Sequence, residues 1–221
     1  MLYPSEPLLP HDRERDRSDN RAAWDDILHD EARMTNVKQP WASAILEFHK
    51  NYENRAAELP CQGWVLIVAS KAVGRRAEWD EAMASLRSKI ESDKNTSGAM
   101  KTHFLTRLDD MEPHDFSRGG IVGAMWVRDS IPPPHLRGWE REPGMAFSMG
   151  RLPNKDTCIG APWRDIRRHA WEISKIIRFD SLVPIQGCQS SYRFYRTHKD
   201  RDRVHEALLD QLEAHDPSGA N

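Results

Sequence analysis

Gln39-Pro40-Trp41-Ala42-Ser43-Ala44-Ile45-Leu46, continuing through Phe48 and Lys50 to Glu53-Asn54-Arg55, is the stretch from which the fold is read. Trp41, Ala44, Ile45, Phe48 and Tyr52 stand at i, i+3, i+4, i+7 and i+11, the spacing of one helical face. Pro40 suits a first helical turn, where a missing N–H leaves nothing unsatisfied. After Phe48 the pattern alternates, and a strand there puts Glu53 and Arg55 on one face and Tyr52 and Asn54 on the other. A helix therefore hands over to charged groups at a strand start.

Outward from this stretch the chain reads in short segments. Trp64 to Ser70 is a continuous apolar run after a Pro60-Cys61-Gln62-Gly63 break, the pattern of a strand buried on both faces. Trp79, Met83, Leu86 and Ile90 form a helical stripe, and Phe104, Leu105, Leu108 and Met111 a second one that ends before Pro113. Gly119 to Ile131 is a strand whose first glycines suit a bulge or close backbone approach. Residues 135–165 read as a long irregular connection, and His169 to Ile177 as an alternating strand. Val183 to Gly187 is expected to turn the chain toward a closing strand at Tyr192-Arg193-Phe194-Tyr195, and Val204, Ala207, Leu208 and Leu212 share a final helical face. Short strands without regularly alternating helices predict an α+β fold: a small β-barrel with flanking helices and a helical insertion over about 75–112. The domain is placed at 36–198, between a flexible N-terminal arm over 1–35 and a C-terminal helix and tail over 199–221. Trp24, Ile27 and Leu28 within that arm have the spacing of one amphipathic turn.

Composition narrows the function. The chain has 221 residues, 32 basic against 34 acidic, and a net charge of -2. With a pI near 6.6 it lacks the strongly basic signature of a nucleic-acid coat protein, so any phosphate contact must come from a local patch. Mean hydropathy is -0.74, which fits polar extensions around one core. The three cysteines are far apart and have no C-x-x-C spacing, and the ten histidines show no ligand spacing, so neither metal nor cofactor is expected. Met1 to Pro10 does not read as a signal peptide and no apolar run has the length of a membrane span. The expectation is an intracellular monomer, cytoplasmic or nuclear, with no membrane partner.

Five ordered blocks carry a resemblance. They are Gln39-Pro40-Trp41-Ala42-Ser43-x-x-Leu46, Lys50-x-x-Glu53-x-Arg55, Gly63-x-x-Leu66-Ile67-x-Ala69-Ser70-Lys71, Gly120-Ile121-Val122-Gly123 with Asp129, and His169-Ala170-Trp171-x-Ile173 with Val183-Pro184-Ile185-x-Gly187. Together, over roughly residues 36 to 196, they resemble the activating signal cointegrator homology (ASCH) domain, a PUA-like β-barrel. The resemblance implies a cleft lined by the opening helix, the lysine and acidic residue after it, and neighbouring strands, suited to RNA or a modified base. Members of the group include a coactivator module, a nuclease and an amidohydrolase acting on acylated cytidine, so the site must choose between them.

Carried onto this sequence, the cleft comprises Gln39, Trp41, Lys50, Glu53, Asn54, Arg55 and Lys71. Trp41 offers a stacking ring or a core side chain, Gln39 and Asn54 offer amides that read a base edge, and Arg55 and Lys71 offer cations for phosphate or carbonyl. The plainer alternative for Lys50 and Glu53 is a surface i, i+3 ion pair. In the amidohydrolase branch the lysine activates a threonine three residues on. Here Glu53 stands at that position, so a hydrolase of acylated nucleosides or RNA would instead use Glu53 as general base and Lys50 as oxyanion stabiliser. Arg164, Arg167 and Arg168 beside Trp163, with Arg193 and Arg196, are the expected nucleic-acid backbone contacts. A protein partner docking through the insertion, as in a coactivator, is a third reading.

Overall fold

The run Gly63–Ala69 is apolar on both of its faces because both faces are covered. A computed structural model of the chain describes residues 24–28, 32–59, 62–72, 75–133, 162–185 and 199–215. A helical turn over 24–28 is followed by β1 (Arg33–Val37), α1 (Trp41–Glu47), β2 (Tyr52–Arg55), β3 (Gly63–Ala69), α2 (Arg76–Ser92), α3 (Gly98–Asp109), β4 (Gly120–Ile131), β5 (His169–Pro184) and α4 (Arg201–His215). The five strands form one sheet in the order β1-β3-β4-β5-β2. β1 and β3 are parallel and the other pairings antiparallel. The class is α+β.

Register shifts at Ile67/Val68 in β3 and at three places along β4 bend the strands, as bulges do. The sheet curls into half a barrel whose two edge strands approach each other, and Arg55 on β2 reaches the carbonyl of Asn36 on β1. The closing strand expected at 192–195 lies outside the described residues, as does most of the 135–165 connection.

Three apolar clusters hold the elements. Trp64, Leu66 and Val68 point to one face of the sheet, where the 24–28 turn and Val204 and Leu208 of α4 cover them. Val65, Ile67 and Ala69 point to the other, under Ala42 and Ile45 of α1 and beside Met125, Trp171 and Ile173. The opposite side of α1, Ala44 and Phe48, packs with Tyr52, Trp163 and the α2 and α3 stripes, Leu86, Ile90, Phe104 and Leu108. The insertion is thus the outer layer over α1. Among the described residues no helix is long and apolar enough to cross a membrane.

Two boundaries differ from the sequence reading. Residues 24–28 and 32–35, expected within the flexible arm over 1–35, are part of the fold: Trp24 and Ile27 are fully buried, Trp24 stacks on Phe179 at 5.2 Å, and β1 already pairs from Arg33. The apolar face of β3 requires that cover, and five residues of β1 are too few to show periodicity. The strand expected to end at Ile177 runs on to Pro184, so the turn placed at Val183-Pro184 is still ladder. Pro184 is the last residue of the strand, where its missing donor is tolerated. It lies opposite Gly120, where a Cβ would stand 2.5 Å from the Val183 carbonyl, so the close approach read into those glycines is present.

Candidate functional site

α1 stops at Glu47, and His49, at φ 56°, takes the left-handed conformation that lets the amide of Lys50 turn back to the Ala44 carbonyl at 3.0 Å. That reversal delivers Lys50 to the head of β2. The alternation of β2 then does as expected: Tyr52 joins the cluster under α2 and α3, while Glu53 stands opposite Trp171 and Arg55 opposite His169 across the ladder to β5.

Lys50 Nζ donates to Glu53 Oε2. The other carboxylate oxygen is 3.1 Å from Arg55 Nε, an ion pair whose angle falls short of a hydrogen bond. Arg55 Nη2 donates to the Asn36 carbonyl at 2.7 Å, and its guanidinium carbon is 5.5 Å from the Trp171 ring centroid, a cation–π distance. The side chains of Lys50, Glu53 and Arg55 are 4, 9 and 16% exposed. This is a buried triplet of two cations and one carboxylate, unlike the exposed pair that the i, i+3 spacing alone suggests. Burial pushes the Lys50 ammonium below the usual lysine range against the pull of Glu53, and the charges of Arg55 and Lys89 push it the same way.

Buried polar atoms with no hydrogen-bond partner in this part of the fold include Thr35 Oγ1, Asn51 Oδ1, Arg55 Nε and His169 Nδ1. Thr35 Oγ1 is fully buried, on the β1 face that also carries Val37, and His169 Nδ1 is on the residue paired with Arg55. Buried polar atoms without partners mark positions where a ligand can supply one.

The remaining expected residues divide. The Gln39 amide accepts from Ser43 N at 3.1 Å and donates to the Ser117 carbonyl at 2.8 Å, tying the start of α1 to the approach of β4. Asn54 donates to the Trp163 carbonyl and accepts from Asp165 N, both at 2.8 Å. Both amides therefore serve the protein backbone. Trp41 is half-buried between two apolar clusters, and Lys71 is exposed at the exit of β3. Trp163 is buried with Nε1 directed to Asp93 Oδ2 at 3.2 Å, so it presents no stacking face. Arg167 and Arg168 pair with Asp165 at 3.2 and 3.7 Å. The Arg167 backbone N–H, then its side chain and both arginine charges, hold that carboxyl below its ordinary range against burial. Arg164 is half-buried, and Arg193 and Arg196 lie outside the described residues.

Sequence reasoning missed Asn36, Lys89, His169 and Trp171 as neighbours of the triplet. Trp171 and His169 were visible as strand residues, but their position opposite Glu53 and Arg55 depends on register. Among the described residues no group of three or more His, Cys, Asp or Glu is placed to hold a metal ion. No protein-family model matches the chain, and no curated protein is significantly similar to it.

Proposed function

We propose that the chain is a binding module of the ASCH/PUA-like type, taking RNA or a modified nucleobase at the Lys50–Glu53–Arg55 triplet. The observation that carries this reading is the charge imbalance: buried Lys50 and half-buried Arg55 share one carboxylate. A buried cation without its own counter-charge is costly, and substitution by an apolar side chain would relieve it. A ligand bringing an anionic or carbonyl oxygen offsets the excess. The ordered motif blocks give the ligand class, since the fold itself is compatible with many.

The test is binding of labelled single-stranded RNA and of a panel of modified nucleosides to wild type and Lys50→Met. Binding lost in the variant supports the reading. An absence of binding across both panels ends it.

A hydrolase of acylated nucleosides or RNA is the second reading, with Glu53 as general base and Lys50 as oxyanion stabiliser, supported by the direct contact of these two side chains. It is the weaker one because both Glu53 oxygens already face cations. Product release by wild type but not by Glu53→Gln would raise it above binding alone. Docking of a partner through the insertion has less support, because Leu86, Ile90, Phe104 and Leu108 are spent on α1 and its neighbours.

A further inference from the structure

We infer that Lys38, Lys71, Arg75 and Arg118 form a rim that holds the sugar-phosphate backbone of a single-stranded nucleic acid beside the triplet. This rests on the nucleic-acid reading above and names where the phosphates go. Four segments bring the cations together. Ser70 N donates to the Val37 carbonyl at 3.0 Å, which sets Lys71 beside Lys38. Gly119 N donates to the Ala69 carbonyl at 2.8 Å, and the Cβ position of Gly119 is 3.7 Å from Lys71 Cγ, so Arg118 flanks Lys71. The Gln39 bond to Ser117 closes the same group from the other side. Trp79 meets Phe116 edge-to-face at 5.0 Å and its N–H bonds to the Arg75 carbonyl, which brings the start of α2 to residues 116–118.

None of the four makes an ion pair among the described residues. The nearest carboxylates in sequence are Glu78, in the first turn of α2, and Asp115, which accepts from Glu112 N and faces His114. The contrast with the expected patch is direct, since Arg167 and Arg168 already share Asp165. On a chain of net charge -2, an uncompensated local group of cations is what attracts a polyanion. A membrane surface fits less well: the exposed large apolar side chains among the described residues, Met100, Ile166, Ile176 and Leu209, belong to other segments, and none stands in the rim to insert. β1 links rim and triplet, because the Asn36 carbonyl takes Arg55 and Lys38 follows two residues on, about 7 Å at the rise of a strand. A base at the triplet would leave its phosphates at the rim.

The test measures binding of a short labelled single-stranded RNA, and separately of inorganic polyphosphate, against salt concentration. The variants are Lys38→Gln/Lys71→Gln/Arg118→Gln combined, Lys71→Gln alone in case the triple variant folds poorly, and Arg167→Gln/Arg168→Gln. The expected result is a salt slope for RNA shallower by about 0.7 for each rim charge removed, so about 2 for the triple variant, with little change in the Arg167/Arg168 variant. An unchanged slope in the rim variants, or the same loss in the Arg167/Arg168 variant, overturns the rim. Rim-dependent binding of polyphosphate without RNA binding keeps the rim and removes the base site. No binding of either probe by wild type removes both.

Discussion

Arg55 Nη2 donates to the backbone carbonyl of Asn36 at 2.7 Å, joining β2 to β1 by a side chain although these strands stand at opposite ends of the sheet order. The same guanidinium faces Glu53 and lies against Trp171. A lysine has neither the planar fork nor the reach to serve all three. Arg55→Lys is expected to lose about 1–3 kcal/mol in chemical denaturation, with amide protection falling first along β1. Unchanged protection at β1 would mean that the bond does not hold the edge.

Lys50 and Glu53 should respond in opposite directions. Lys50→Met removes the excess cation and leaves a balanced Glu53–Arg55 pair, so stability is expected to hold or to rise by up to about 4 kcal/mol. Glu53→Gln leaves buried Lys50 and half-buried Arg55 without their carboxylate, and the expected loss is about 3–5 kcal/mol. Denaturant midpoints of the two variants, compared with wild type, check the sign.

Because burial lowers the Lys50 pKa from its ordinary 10.5, the unfolded chain binds a proton that the folded chain has released between the folded value and 10.5. Stability contributed by this group therefore rises with pH across that window and carries its full penalty below it. Lys89, lowered by burial with Asp165 opposing, adds the same sign. The alkaline rise in denaturation free energy should be smaller in Lys50→Met than in wild type, and an identical pH profile would contradict a depressed Lys50.

Asn54 clamps the segment before β5 through two hydrogen bonds, to the Trp163 carbonyl and from Asp165 N. Asn54→Asp keeps the acceptor and loses the donor, and Asn54→Ala loses both. Their destabilisation should increase in that order, to about 1–3 kcal/mol for Asn54→Ala, measured by thermal or denaturant unfolding.

Trp24 is 1% exposed in the cluster that covers β3. Trp24→Ala is expected to cost about 3–5 kcal/mol, whereas a residue of a flexible arm would cost almost nothing. Unfolding of this variant at the wild-type midpoint would return Trp24 to the arm.

The sequence by itself determined what depends on near neighbours along the chain. The start of α1 at Trp41, the doubly buried strand at Gly63–Ala69, the two stripes of the insertion and the shared face of Glu53 and Arg55 all follow from periods of 3.6 or 2, which a short window contains. Tertiary structure decided which segments meet. Residue type shows that Gln39 and Asn54 can each donate and accept, but only the packed chain shows backbone groups of Ser43, Ser117, Trp163 and Asp165 occupying them. Glu53 and Trp171 face each other by strand register across 117 intervening positions, and the 24–28 turn is core only because β3 presents a bare face to it. The charge imbalance at Lys50 is of the same kind: three charged letters within six residues become a strained group only when the fold removes the water around them.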